Sequence, residues 1–90
     1  MSRVVHFEIH AENPERAVQF YTALFNWQMQ KWDGPAEYWL IRTGSPEERG
    51  IDGGLMRRRG PGPADGQPVN AYPCTTVVTD LDAMMKRLLL

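Results

Sequence analysis

The chain opens with an alternation of apolar and polar residues that is typical of a half-buried strand. From residue 5 to residue 10, every second side chain is apolar and the ones between are polar. Because successive strand residues point to opposite faces, His6, Glu8 and His10 are predicted to share one face. We expect the apolar face, with Val5, Phe7 and Ile9, to pack on a helix, and the polar face to border a cavity.

An amphipathic helix is predicted directly after this strand. Asn13 occupies the N-cap position and Pro14 the first helical position, where a missing N–H costs no hydrogen bond. Apolar residues then recur at helical spacing, at Ala17, Phe20, Tyr21 and Leu24. We predict that this stripe packs on the apolar face of the first strand.

Three more strands are predicted after the helix, at residues 27–32, 37–42 and 51–58. A turn signal, Asp-Gly-Pro at residues 33–35, joins the first two of them. Gly53 and Gly54 lie inside the last strand. Paired glycines in a strand predict either a bulge or the close approach of another group.

The order of elements begins again beyond a linker rich in glycine and proline, at residues 60–69. A fifth strand is predicted at residues 71–79, with Cys74 as a small buried residue in its interior, and Asp80 is the predicted N-cap of a second helix. We therefore predict an α+β fold in one structural domain. Residues 1–59 form a βαβββ module, and residues 70–90 supply the strand and helix that begin a second module.

Composition and charge exclude several classes of partner. The net charge is −1, and Arg57–Arg59 is the one cationic cluster, read as a solvated strand end. This charge distribution argues against nucleic acid as a partner. The single cysteine excludes an intrachain disulfide, and no apolar run is long enough for a membrane span. We expect a soluble, cytoplasmic protein.

Several segments resemble the vicinal oxygen chelate superfamily, which includes glyoxalases, bleomycin-resistance proteins and dioxygenases. The resemblance is carried by VHFEI at residues 5–9, NPERA at 13–17, FY at 20–21 and FNW at 25–27. Weaker support comes from Tyr38-Trp39 and from residues 50–56 and 70–72. The resemblance implies two βαβββ modules whose sheets form a cup. This chain would be a shortened member, with its cup half-closed or completed by a partner chain.

The family resemblance also implies a divalent metal, held by ligands from the first and fourth strands of each module. His6 matches the first-strand metal histidine. The equivalent position of the second module is Pro73, which cannot ligate, and the fourth strand has residues 53–56 (GGLM) where active members carry a glutamate. We therefore expect no cofactor, because a single histidine does not hold a metal against water. A divalent metal remains the alternative.

The predicted ligand contacts combine the polar strand face with later residues of the module. They are His6, Glu8, His10, Trp39 and Met56. The polar face is read either as a metal or substrate cluster, or as a plain polar surface lining a wet cavity or an interface. The aromatic residues at 27, 32, 38 and 39 form either a ligand wall or ordinary core packing.

Two functional hypotheses follow. The first is a glyoxalase-like or dioxygenase-like protein that binds a small molecule in a β-sheet cup, and as an enzyme it would use His6 as a ligand and Glu8 as a base. The second is a metal-free, non-enzymatic binding or dimerisation module. In either case we expect a homodimer or higher oligomer, because the second module lacks strands to cover it. Exchange of elements between chains is a low-cost route to such a dimer.

Overall fold

The computed structural model describes residues 2–68 and 73–89. Within these residues the elements are β1 (His6–Ala11), α1 (Pro14–Phe25), β2 (Gln28–Lys31), β3 (Tyr38–Arg42), β4 (Asp52–Arg57) and α2 (Leu81–Leu88). The chain is therefore an α+β protein, and the predicted order of strand, helix and three strands is confirmed. Neither helix is long and apolar enough to cross a membrane.

The four strands form one open, mixed sheet in the order β1-β4-β3-β2. β1 and β4 are parallel neighbours, whereas β4, β3 and β2 pair antiparallel in sequence. The register aligns His6 with Asp52 and Trp39 with Leu55. Parallel neighbours need a long crossover, and the chain from α1 through β3 supplies it. The first and last strands of the module therefore lie side by side.

Both ends of α1 are capped by asparagine. At the N-terminus the Asn13 side chain accepts a hydrogen bond from the Arg16 amide at 3.1 Å, and Pro14 follows as the first helical residue. At the C-terminus Asn26 adopts the left-handed conformation with φ 59°, and its amide bonds to the Thr22 carbonyl. These caps fix where α1 begins and ends, and they direct the chain into β2.

The hydrophobic core lies between α1 and one face of the sheet. Trp39, Ile41 and Leu55 form its buried centre. Beside it, the Trp27 ring stacks on Tyr21 with centroids 5.5 Å apart and lies 4.8 Å from the ring of Phe25. In the described residues α1 contacts β1, β2 and β4, whereas α2 contacts only α1, so no helix covers the opposite face of the sheet.

The predicted packing of the first strand on the helix is correct only in part. Phe7 and Ile9 pack against the core, but Val5 precedes β1 and is 74% exposed. The register with β4 starts at His6, so Val5 has no neighbouring strand to hold it on the sheet. Phe20 is also 47% exposed and is not among the residues packed against the core.

The prediction of a fifth strand is wrong for residues 73–79, which form no strand; residues 71 and 72 lie outside the described part. Pro73 lacks the amide proton that a central strand needs. Cys74 is exposed, so the prediction that it is a small buried residue is also wrong. The second helix is confirmed, because the Asp80 side chain accepts from the Ala83 amide at 3.1 Å and caps α2.

Phe7 is partly buried against the core, with its ring 6.0 Å from that of Trp27. We expect Phe7→Ala to lower the free energy of unfolding by about 1–3 kcal/mol, less than a fully buried phenylalanine would. Urea denaturation measures this, with the more exposed Phe20→Ala as the matched control. An equal or larger loss in Phe20→Ala would contradict the packing described here.

Candidate functional site on the open face of the sheet

The face of the sheet opposite α1 carries the polar side of β1. His6, Glu8 and His10 lie on it, since the strand alternates and Phe7 and Ile9 point to the core. The register places Gly54 and Met56 of β4 beside Glu8 and His10 on this same face. The neighbouring strand β3 adds Tyr38 and Leu40. The predicted shared face of the three polar residues is therefore confirmed.

Four of these side chains are joined by hydrogen bonds into what we call the open-face cluster: His6, Tyr38, Glu8 and His10. The Tyr38 hydroxyl lies 3.0 Å from His6 Nε2 and donates to Glu8 Oε2 at 3.4 Å. His10 Nε2 lies 3.1 Å from Glu8 Oε1. With the hydroxyl donating to Glu8, its oxygen accepts from His6 Nε2–H, and His10 Nε2–H donates to the carboxylate.

This pattern leaves the outer nitrogen of each imidazole available. If Nε2 carries the proton in His6 and His10, then Nδ1 is an acceptor in both rings. Within the described residues neither Nδ1 has a hydrogen-bond partner. Both side chains are exposed on the open face.

Gly54 is the residue that allows Tyr38 to reach the cluster. A Cβ at position 54 would collide with the Tyr38 hydroxyl and ring, which lie directly across the glycine. Gly53 faces the other side, where a Cβ would lie 2.6 Å from the Phe7 carbonyl oxygen. Pairing of β1 with β4 is continuous, so the two glycines form no bulge. They instead allow neighbouring groups to approach the backbone of β4 closely.

The cluster shifts the titration of two of its members in opposite directions. The hydrogen bond from His10 lowers the pKa of Glu8 below its ordinary value, and the bond from Tyr38 acts in the same direction. Partial burial raises the pKa of Tyr38, and the negative charge of Glu8 adds to that effect. At neutral pH the site therefore combines a carboxylate with a neutral phenol donor.

The lowered pKa of Glu8 makes part of the stability depend on pH. Because the folded pKa lies below 4.5, the unfolded state binds more protons between the two values, and stability rises with pH there. This contribution is complete above pH 4.5 and is lost as the pH falls through the folded pKa. We expect the stability difference between the wild-type protein and Glu8→Gln to shrink below pH 4.5. Urea unfolding at several pH values measures it, and a constant difference would contradict the prediction.

Four of the five predicted ligand contacts lie on the open face. His6, Glu8 and His10 belong to the cluster, and the half-buried Met56 is aligned with His10. Trp39 is the exception, since it is only 6% exposed and lies in the core on the α1 side of the sheet. Alternation along β3 explains this placement, because it is Tyr38 and Leu40 that face outward.

Two of the four aromatic residues singled out in the sequence pack in or against the core, and the other two do not. Trp27 and Trp39 pack in or against the core, whereas Trp32 is 43% exposed and Tyr38 joins the cluster. Sequence reasoning left Tyr38 out of the predicted ligand contacts. The sequence feature that points to Tyr38 is Gly54, because a glycine within a strand leaves room for a side chain of the neighbouring strand to lie over it.

The side chains of this face do not fit the metal site that the family resemblance implies. Both oxygens of Glu8 already accept hydrogen bonds within the cluster. Asp52, aligned with His6, accepts from the Thr43 amide at 2.8 Å. Among the described residues no group of three or more histidine, cysteine, aspartate or glutamate side chains is arranged to hold a metal.

A groove lies at the end of the sheet where β1 begins, and Asp52, which is aligned with His6 of the cluster, borders it. It has a volume of about 430 Å³ and is bordered by residues 3–5 and by the loop from Thr43 to Asp52. Its acidic groups are already engaged, since Asp52 bonds to Thr43 and Glu48 accepts from the Ser45 amide. The cluster, unlike the groove, combines imidazole acceptors with shifted pKa values at Glu8 and Tyr38, and we place the candidate site there.

No protein-family model and no curated protein matches the sequence. The chemistry of the open-face cluster is therefore the feature that indicates a function.

Proposed function

We propose that the chain binds a small polar molecule on the open face of its sheet, over the open-face cluster, as a βαβββ module of the vicinal oxygen chelate type. The observation that carries the proposal is the hydrogen-bonded cluster on a sheet face that no described helix covers. The order of elements from residue 6 to residue 57 supports the likeness to such a module.

The chemistry of the cluster favours a ligand that donates hydrogen bonds. With the proton on Nε2, the Nδ1 atoms of His6 and His10 are acceptors, and the Glu8 carboxylate adds negative charge between them. Leu40 and Met56 lie on the same face and offer apolar contact. A molecule with two hydroxyl or amine groups on a small apolar frame would match this arrangement.

Binding in this proposal needs no metal. The family's ligand positions survive here only at His6, and the neighbouring carboxylates are engaged in hydrogen bonds within the protein. The internal hydrogen bonds hold the side chains in place before a ligand arrives, which lowers the entropic cost of binding. We therefore favour a metal-free binding module over a metal-dependent enzyme.

The proposal is tested by screening a library of small diols, catechols and amines against ¹⁵N-labelled protein. We expect binders that shift the amides of β1 and β3, and we expect Glu8→Gln and Tyr38→Phe to weaken them at least about tenfold. Gln19→Ala, an exposed change on α1, is the control and should bind as the wild type does.

The same protein can be tested with divalent zinc, nickel and manganese. Stoichiometric metal that survives gel filtration and disappears in His6→Ala would favour the enzyme instead. A library in which no binder depends on Glu8 or Tyr38 would contradict binding at the cluster.

A further inference from the structure

The groove at the start of β1 has a chemistry that the proposed function does not use. Residues 3–5 border it on one side, and the loop from Thr43 to Asp52 borders it on the other. Its volume of about 430 Å³ lies within the range of small-molecule sites in proteins. The groove is therefore large enough to hold a small organic molecule.

The loop that borders this groove is held in shape by its own hydrogen bonds. The Thr43 amide donates to Asp52 Oδ1 at 2.8 Å, and the Thr43 hydroxyl donates to the Ile51 carbonyl at 2.8 Å. Within the loop, the Ser45 amide donates to Glu48 Oε1 at 3.1 Å, and the Glu48 amide donates to the Ser45 carbonyl at 3.1 Å. Because these bonds form without a ligand, little ordering of the loop remains to be done on binding.

Two arginines, Arg3 and Arg49, border the groove together with the carboxylates of Glu48 and Asp52. Both carboxylates already accept hydrogen bonds from backbone amides of the loop. Within the described residues neither guanidinium forms an ion pair or a hydrogen bond. A guanidinium has donors in a fixed fork that matches the two oxygens of a carboxylate. The charged groups left for a ligand are therefore cationic donors.

The groove also has an apolar side that the described chain leaves uncovered. Val4 is 79% exposed and Val5 is 74% exposed, and both border the groove together with the half-buried Ile51. Two consecutive exposed valines favour contact with hydrocarbon, because covering them removes apolar surface from water. A ligand that combines a negative charge with an apolar body would use both features of the groove.

A ligand with one negative charge suits the groove better than a phosphate. The two arginines and the two carboxylates leave no net charge at its border, so a dianion would be attracted weakly. Phosphate sites also commonly use free backbone amides. Here the amides of Thr43 and Ser45 are occupied by the side chains of Asp52 and Glu48.

We propose that this groove binds a monocarboxylate with a short hydrocarbon body. The carboxylate pairs with Arg3 and Arg49, and the hydrocarbon covers Val4 and Val5. None of the four residues of the open-face cluster borders the groove, so this site does not depend on the proposed function.

Titration of the ¹⁵N-labelled protein with hexanoate tests the site. We expect saturable shifts of the amides in the loop at residues 43–52. Hexanamide has the same chain without the charge, and acetate has the charge without the chain, so each should bind at least about tenfold more weakly. No saturable shift in the loop, or equal binding of hexanamide, acetate or inorganic phosphate, would overturn the proposal.

Exposed substitutions locate the bound hexanoate. Arg3→Gln and Arg49→Gln should each weaken hexanoate at least about threefold, because each removes a cationic donor. Arg59→Gln is the matched control, since it removes the same charge from an exposed arginine outside the groove and should bind as the wild type does. Val5→Asn should weaken hexanoate and leave acetate unchanged.

Glu8→Gln separates this site from the open-face cluster. It should leave hexanoate binding unchanged even where it abolishes binding of a ligand at the cluster. Loss of hexanoate binding in Glu8→Gln, or equal affinities in the Arg3, Arg49 and Arg59 variants, would place hexanoate elsewhere and contradict the proposal.

Discussion

Replacing Leu55 with alanine is expected to lower the free energy of unfolding by about 2–5 kcal/mol. Leu55 is completely buried at the centre of the core, where β4 lies between β1 and β3 and faces α1. Removing its three terminal carbons leaves a cavity that the flanking side chains of Trp39 and Ile41 cannot close without moving the sheet. A loss of this size is a large fraction of the stability of a small domain.

Leu40→Ala is the matched control for this prediction. Leu40 lies on the neighbouring strand but on the open face, where its side chain is 45% exposed. We expect a cost well below that of Leu55→Ala, measured by urea denaturation with the same probe. Similar costs for the two leucines would mean that both faces of the sheet are covered and would contradict the open face.

Gly53→Ala is expected to be the second strongly destabilising change, at about 1–3 kcal/mol or more. The added Cβ would lie 2.6 Å from the Phe7 carbonyl oxygen and 2.7 Å from its ring. The carbonyl belongs to the backbone of β1, which is fixed by its pairing with β4. The clash with the added Cβ can therefore be removed only if the two strands move apart. Thermal unfolding measures the loss.

Gly54→Ala should have a different effect, although it is the adjacent residue. Its new Cβ would meet the hydroxyl end of Tyr38, a side chain on the open face that can rotate away. We expect a smaller loss of stability than in Gly53→Ala, together with a Tyr38 pKa that falls back toward 10.0, because the phenol leaves its partly buried position and the negative charge of Glu8. A Tyr38 pKa that stays raised in this variant would contradict the close approach of the Tyr38 side chain to position 54.

The alternation of β1 was sufficient to predict which of its side chains share the open face. Strand period and the cap at Asn13 are local properties, and they predicted β1, α1 and their order correctly. Where a strand begins or ends depends instead on the neighbouring strand with which it pairs. Val5 lies outside β1 because the paired segment of β4 starts opposite His6, and nothing in the sequence around Val5 indicates this.

The partner of the cluster on β3 could not be predicted from one strand alone. Whether Tyr38 or Trp39 faces outward depends on the register between β3 and β4, and a shift of one residue exchanges the two. The prediction of a strand at residues 73–79 was wrong for a related reason. Its β-favouring residues Thr75, Thr76 and Val77 satisfy a local preference, but no neighbouring strand pairs with them in the described chain.

Imidazole ¹H–¹⁵N correlation spectra test the central claim, that the open-face cluster is a preformed site for a small polar ligand. The protein has only two histidines, so two rings appear, and His6→Gln assigns them. We predict that both rings carry the proton on Nε2 in the free protein and that a bound ligand shifts both Nδ1 resonances. Protonation on Nδ1, or a ligand that binds while both imidazoles stay unchanged, would contradict the account.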